Sequence, residues 1–330
     1  MASNGRPPSI QWQERIDPDE AQRFERHARR FAQMQQIRNA ALGPGRALHR
    51  HQLLALKAQF EVLDNLDGHA AQGLFARPGK YEAWVRLQQG DIDSALVYAF
   101  GRSSQGDLAD VMVAQLDPYV VAPLAPDWVS LAALQARALL DAERCTERDM
   151  AEVAARCRGE RADALLRAPY VVEPLRGHDC PTCFDGAAAV VLVAGELARK
   201  VCARPAWIRG IDHRIEAHSL GARDLTRSPS AALAAKNAGA VGRTFDVAEV
   251  HAPFSHQEII LRHALGLGAD VAVNPSGGAL ANHPFIVCGL NRIGEAATRV
   301  VDGRAKSALA HATSGPCLQQ NLVCVLEASS

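Results

Sequence analysis

The stretch Asn274-Pro-Ser-Gly-Gly-Ala-Leu-Ala-Asn-His283-Pro284 sets an imidazole behind a glycine pair and ahead of a proline. Gly277 and Gly278 permit a positive φ or a close approach of backbone to a bound group. Pro284 suits the first turn of a helix, which would leave His283 at the positive end of that helix. An imidazole in such a place can move a proton near neutral pH. The same residues also fit a glycine turn beside a core histidine, and Asn274 next to such a turn is commonly a turn residue.

The surrounding pattern is α/β. Apolar runs at 94–100, 187–194, 207–211, 247–251, 271–273, 307–312 and 322–326 read as strands. Helical periodicity covers 128–142, 146–157, 196–202, 229–238, 255–265 and 284–302, with Thr146 and Asp149 spaced as a capping box. Continuous apolar strands between amphipathic helices imply a sheet covered on both faces. An echo, Gly90-x-x-x-Ser-Ala-Leu-x-x-Ala99 against Gly303-x-x-x-Ser-Ala-Leu-x-x-Ala312, suggests two similar halves.

At 330 residues with 48% hydrophobic content the chain can bury a sizeable core. Its 36 acidic and 36 basic residues leave no net field to draw nucleic acid. No apolar run approaches the roughly 20 residues of a membrane span, and the polar start lacks a secretory signal, so a cytoplasmic location is expected. Eight cysteines in apolar context suit reduced thiols. Cys180-Pro-Thr-Cys183 lacks the second pair that zinc requires, so neither a metal nor a bound cofactor is expected.

Four segments in order resemble the thiolase superfamily, in its sterol-carrier and lipid-transfer, acetyl-CoA acetyltransferase-like branch. They are Asp185-Gly-Ala-Ala-Ala, Glu249-Val-His-Ala-Pro-Phe-Ser, the Asn274 to Pro284 motif and Gln320-Asn321-Leu322. The resemblance covers about 81–327 and implies a duplicated, layered αβαβα fold with an atypical N-terminal half. The expected divisions are 1–80, 81–185 and 186–330. It implies a CoA thioester as substrate, with His283 as base or hydrogen-bond donor and His251 in an oxyanion hole. Asn274, Gly277, Gly278 and Asn321 would sit on the substrate side. A homodimer is implied, and some members of the branch are aldolases working with a small zinc-ribbon and OB-fold partner.

Two departures limit what the chain can do. The family's acyl-accepting cysteine belongs at a helix start in the first half, which the echo places within 67–77, and no cysteine precedes Cys145. Residues 10–93 contain no Ser, Thr or Cys, so residues 1–80 are either a different element or the product of a rearrangement or frame shift. The family's base cysteine after the first histidine is replaced by Pro253, leaving Cys317 as a substitute or a buried spectator. Retro-aldol cleavage of a β-hydroxyacyl-CoA therefore fits better than thiolysis. A degenerate subunit that binds acyl-CoA or lipid is the alternative.

Overall fold

A computed structural model describes residues 78–101, 103 and 108–328, all within the unit Ala70–Ser330. The window 67–77, and all of 1–80 before Pro78, lie outside the described residues. Helix α1 (Pro78–Gln89) leads into β1 (Ser94–Gly101), followed by α2 (Leu108–Ala114), α3 (Trp128–Asp141), α4 (Glu147–Arg158) and α5 (Ala162–Leu165). Short strands β2 (Tyr170–Val172), β3 (Leu175–Arg176) and β4 (Cys183–Phe184) precede β5 (Gly186–Val193) and α6 (Gly195–Val201). Next come β6 (Trp207–Ile215), α7 (Pro229–Asn237), β7 (Val247–Glu249), α8 (Ser255–Ala264) and β8 (Ala272–Val273). The chain closes with α9 (Gly278–Ala281), β9 (His283–Pro284), α10 (Cys288–Val301), β10 (Ser307–Ser314) and β11 (Gln320–Glu327).

Strands β6-β11-β10-β7-β8 form a five-stranded sheet whose faces follow from the two-residue period of a strand. Ala308, Ala310 and Ala312 with Leu322, Cys324 and Leu326 pack with Ile293, Ala296 and Val300 of α10. The intervening Leu309, Val323 and Val325 pack with Ala231, Ala234 and Ala235 of α7. Both faces are thus covered, and each large aliphatic side chain removed from water contributes about 1.5–3 kcal/mol. Helix α10 also contacts β5, so it lies between this sheet and the β1–β5 ladder. The resulting order is α7, sheet, α10, ladder.

Strands β1 and β5 pair antiparallel from Ser94↔Val193 to Gly101↔Gly186. The ladder joins Gly186–Val193 to Ser94–Gly101. The echo has a structural counterpart: Gly90 (φ 76°) and Gly303 (φ 77°) each turn a helix into a strand. The capping box also forms, with Thr146 Oγ1 accepting from Asp149 N at 3.2 Å and Asp149 Oδ2 accepting from Thr146 N at 2.7 Å.

The helix expected from Pro284 begins instead at Cys288, so His283 does not cap it. His283 precedes a proline, which disfavours helical backbone, and His283-Pro284 pair in parallel with Cys183-Phe184. The strand expected to reach His251 stops at Glu249, because the chain turns back with Ala252 N donating to Val250 O at 3.1 Å. Paired glycines at the end of the ladder receive the next segment. A Cβ on Gly186 would lie 2.5 Å from Pro284 Cβ, and one on Gly101 would lie 2.8 Å from Ile286 Cβ.

Candidate active site

His251, His283 and Cys317 line one cavity of about 150 Å³, with Trp128, Phe254 and Phe285 among its apolar walls. His251 comes from the turn after β7, His283 from β9 and Cys317 from the turn joining β10 to β11. The two imidazole centroids are 5.5 Å apart. Both rings are buried, at 6% and 1% exposure, so little water competes with them for a ligand.

The backbone N–H of Thr313 donates to His251 Nδ1 at 3.2 Å. Nδ1 therefore carries the lone pair, and the ring proton sits on Nε2 as a donor. In His283 neither ring nitrogen has a hydrogen-bond partner among the described residues. Burial, reinforced by the Arg292 charge, pushes its pKa down to about 3. His283 is thus neutral at physiological pH, with a lone pair available.

Behind His283 lies Cys288, whose pKa burial pushes up to about 12 against the opposing effect of Arg292. Arg292 is itself fully buried, donating to Glu249 Oε2 at 3.0 Å and to Ser276 Oγ at 2.6 Å. The Cys288 sulfur and a ring nitrogen of each histidine lie within 4.8 Å of one another, a spacing that invites a cation. The donor set does not fit one. His251 has its Nδ1 lone pair engaged and its Nε2 protonated, and the Arg292 guanidinium already adds positive charge. The cluster suits a developing anion better.

Cys317 (φ 53°) and Leu318 (φ 61°) both adopt the left-handed conformation, which is strained for residues with a Cβ. The turn is held by Arg223, which donates to Pro316 O at 3.0 Å and also to Cys317 O. Gln135 Nε2 adds a donor to Cys317 O at 3.4 Å. The thiol donates to Leu131 O at 3.3 Å, and burial pushes its pKa up to about 12, so it is protonated at neutral pH.

The other expected residues are not in this cavity's wall. Asn274 (φ 50°) accepts from Val250 N at 2.7 Å and donates to Glu258 Oε2 at 2.8 Å, clamping the backbone next to His251. Gly277 and Gly278 form the turn beneath it, where a Cβ on Gly278 would lie 2.8 Å from Asn274 Cγ. Asn321 holds His311 at 2.9 Å, Ser230 at 2.6 Å and the Leu318 carbonyl at 2.8 Å, which steadies the turn carrying Cys317. His256, with its pKa pushed down to about 3 by burial, faces Gln135 Oε1 at 3.3 Å. Sequence reasoning did not find Thr313, Gln135 or Arg292 as site-shaping residues. Only the Cys288 to Arg292 spacing of one helical turn offered a signal.

No protein-family model matches the chain. The chain is similar in structure to an Ltp2-ChsH2(DUF35) aldolase, with a TM-score of 0.64 at 20% identity over 78% of each chain. Human mitochondrial 3-ketoacyl-CoA thiolase gives 0.58, at 17% identity over 77% of each chain. The Bacillus anthracis acetyl-CoA acetyltransferase gives 0.59, at 15% identity over 76% of this chain and 75% of that one. The chain has a thiolase-like fold. A curated acetyl-CoA acetyltransferase from Methanothermobacter thermautotrophicus is 29% identical over 184 residues, 46% of this chain and 48% of that protein. The thiolase-like chain thus spans about half the length of that relative. No helix among the described residues is long and apolar enough to cross a membrane.

Proposed function

We propose that this thiolase-like chain acts on CoA thioesters and cleaves or forms the carbon-carbon bond next to the thioester. Retro-aldol cleavage of a β-hydroxyacyl-CoA is the favoured direction. The observation that carries the reading is the convergence of His251, His283 and Cys317 on one apolar cavity. The His283 lone pair takes the proton of the β-hydroxyl as the carbon-carbon bond breaks and the carbonyl product leaves. Nε2–H of His251 stabilises the enolate oxygen that develops on the thioester. The Cys317 thiol gives its proton to the α-carbon, and the proton held by His283 restores it. In the condensation direction the same thiol would act as the substitute base.

Thiolysis is disfavoured because no thiol precedes Cys145 in the chain. The name of the aldolase neighbour joins Ltp2 to ChsH2(DUF35), and a co-encoded zinc-ribbon and OB-fold protein is the partner to supply in assays. A homodimer and a cytoplasmic location belong to the same reading. The alternative is an acyl-CoA- or lipid-binding subunit without turnover. Pro253 at the family's base position favours it.

The test supplies a β-hydroxyacyl-CoA, and separately a β-ketoacyl-CoA with free CoA, each with and without that small protein. Release of aldehyde or ketone from the first supports cleavage. Shortened acyl-CoA from the second contradicts the argument against thiolysis, and binding without turnover supports the subunit.

A further inference from the structure

A second depression, of about 690 Å³, runs along β8 and the C-terminal end of α4. Its wall includes Arg156, Arg158 and Arg262 and no acidic residue. Behind the wall Glu258, 1% exposed, pairs with Arg156 and, at 4.0 Å, with Arg262. Among the described residues Glu258 is thus the one carboxylate within ion-pair distance of any of these three guanidinium groups. Arg158 is held only by neutral groups: Nη2 donates to Cys180 O at 2.8 Å and Leu280 O at 3.4 Å. Its buried Nε has no hydrogen-bond partner among the described residues.

Uncompensated guanidinium groups in a concave site match phosphate, whose oxygens take paired N–H donors. The volume falls within the range of small-ligand sites, about 300–1,000 Å³. We infer that this groove binds a phosphate-bearing ligand of nucleotide size, through Arg156, Arg158 and Arg262. The chemistry is shared by the nucleotide end of CoA and by free nucleotides. The groove is also joined to the catalytic cavity. Arg156 binds Glu258, Glu258 Oε2 accepts from Asn274 Nδ2 at 2.8 Å, and Asn274 Oδ1 accepts from Val250 N at 2.7 Å, one residue before His251. A ligand that engages Arg156 thus bears on the turn that carries His251.

The full chain is titrated calorimetrically at low salt with inorganic pyrophosphate, adenosine 3′,5′-bisphosphate and CoA. Saturable pyrophosphate and bisphosphate binding is expected, weakened about tenfold or more by Arg158→Gln with Arg262→Gln and partly kept by Arg262→Lys. Arg156 is left in place because its loss would strand the buried Glu258. Should the double variant fail to fold, Arg262→Gln alone, at a side chain 33% exposed, carries the comparison. CoA affinity falling with the other two assigns the groove to the nucleotide end of CoA. CoA affinity unchanged while pyrophosphate binding falls assigns it to a free nucleotide. Pyrophosphate binding without CoA binding keeps the groove and removes the thioester reading. Absence of saturable pyrophosphate and bisphosphate binding, or affinities unchanged in the variants, overturns the inference.

Discussion

The Thr313 backbone N–H donates to Nδ1 of His251 at 3.2 Å, and this one bond sets which ring nitrogen carries the proton. It turns His251 into a hydrogen-bond donor at Nε2, next to a His283 ring with an available lone pair. Donor and acceptor functions are thus divided between two neighbouring imidazoles.

In the proposed cleavage His251 would be the donor to the enolate oxygen. His251→Ala is expected to lower kcat/KM for β-hydroxyacyl-CoA cleavage by about 10²–10³. His251→Gln, which keeps a side-chain N–H, is expected to retain part of that. Steady-state kinetics with both variants decides; equal activity in wild type and His251→Ala would remove the oxyanion role.

The depressed pKa of His283 has a direct effect on stability. Its folded value of about 3 lies below an unfolded value near 6.5, so between these the unfolded chain binds the extra proton. The stability tied to neutral His283 is full above pH 6.5 and is lost as pH falls toward 3. Relative to His283→Gln, wild type should lose about 1.4 kcal/mol per pH unit across this window. Urea unfolding at pH 7 and pH 5 measures the difference, and an unchanged difference would mean that His283 titrates normally in the folded state.

The ladder glycines position the site by having no side chain. Gly186→Ala puts a Cβ 2.5 Å from Pro284 Cβ and is expected to cost about 1–3 kcal/mol while displacing His283. Gly294 in α10 is the contrast, since a Cβ there meets Val190 Cγ1 at an ordinary 3.8 Å. Gly294→Ala should raise stability by about 0.5–1 kcal/mol through helix propensity alone. Thermal unfolding of both variants tests the pair, and similar shifts would contradict the steric argument.

Arg292 and Glu249 are both fully buried, and their ion pair ties α10 to the end of β7. Arg292→Ala leaves Glu249 with Arg299 at 3.5 Å as its remaining cation. A loss of about 3–5 kcal/mol is expected, toward the low end because of Arg299. Arg292→Met with Glu249→Gln should recover part of it. Chemical denaturation reads both, and a neutral Arg292→Ala would show that the pair contributes nothing.

Where local pattern decides structure, the sequence was legible. The Thr146 capping box, the turns at Gly90 and Gly303 and the apolar runs of β10 and β11 all depend on nearby residues. His251, His283 and Cys317 were identifiable because each sits in a short motif, and the fold brings them to one cavity. The start of α10 was not legible: Pro284 suits a helix, but pairing with Phe184, a hundred residues earlier, holds it extended. Asn274 belongs to the motif yet serves as a clamp, because its partners Val250 and Glu258 come from other elements. The buried Arg292 had only its one-turn spacing from Cys288 as a local sign, since its charge matters only once α10 docks beside β7 and β9.

The most direct measurement is the rate of aldehyde or ketone release from a β-hydroxyacyl-CoA by wild type and by His283→Ala, with the small zinc-ribbon protein present. Release by wild type and a fall of about 10²–10⁴ in kcat for His283→Ala, with CoA-ester binding retained, is the expected result. Release at the wild-type rate by His283→Ala, or no release by wild type under conditions where the CoA ester binds, would contradict it.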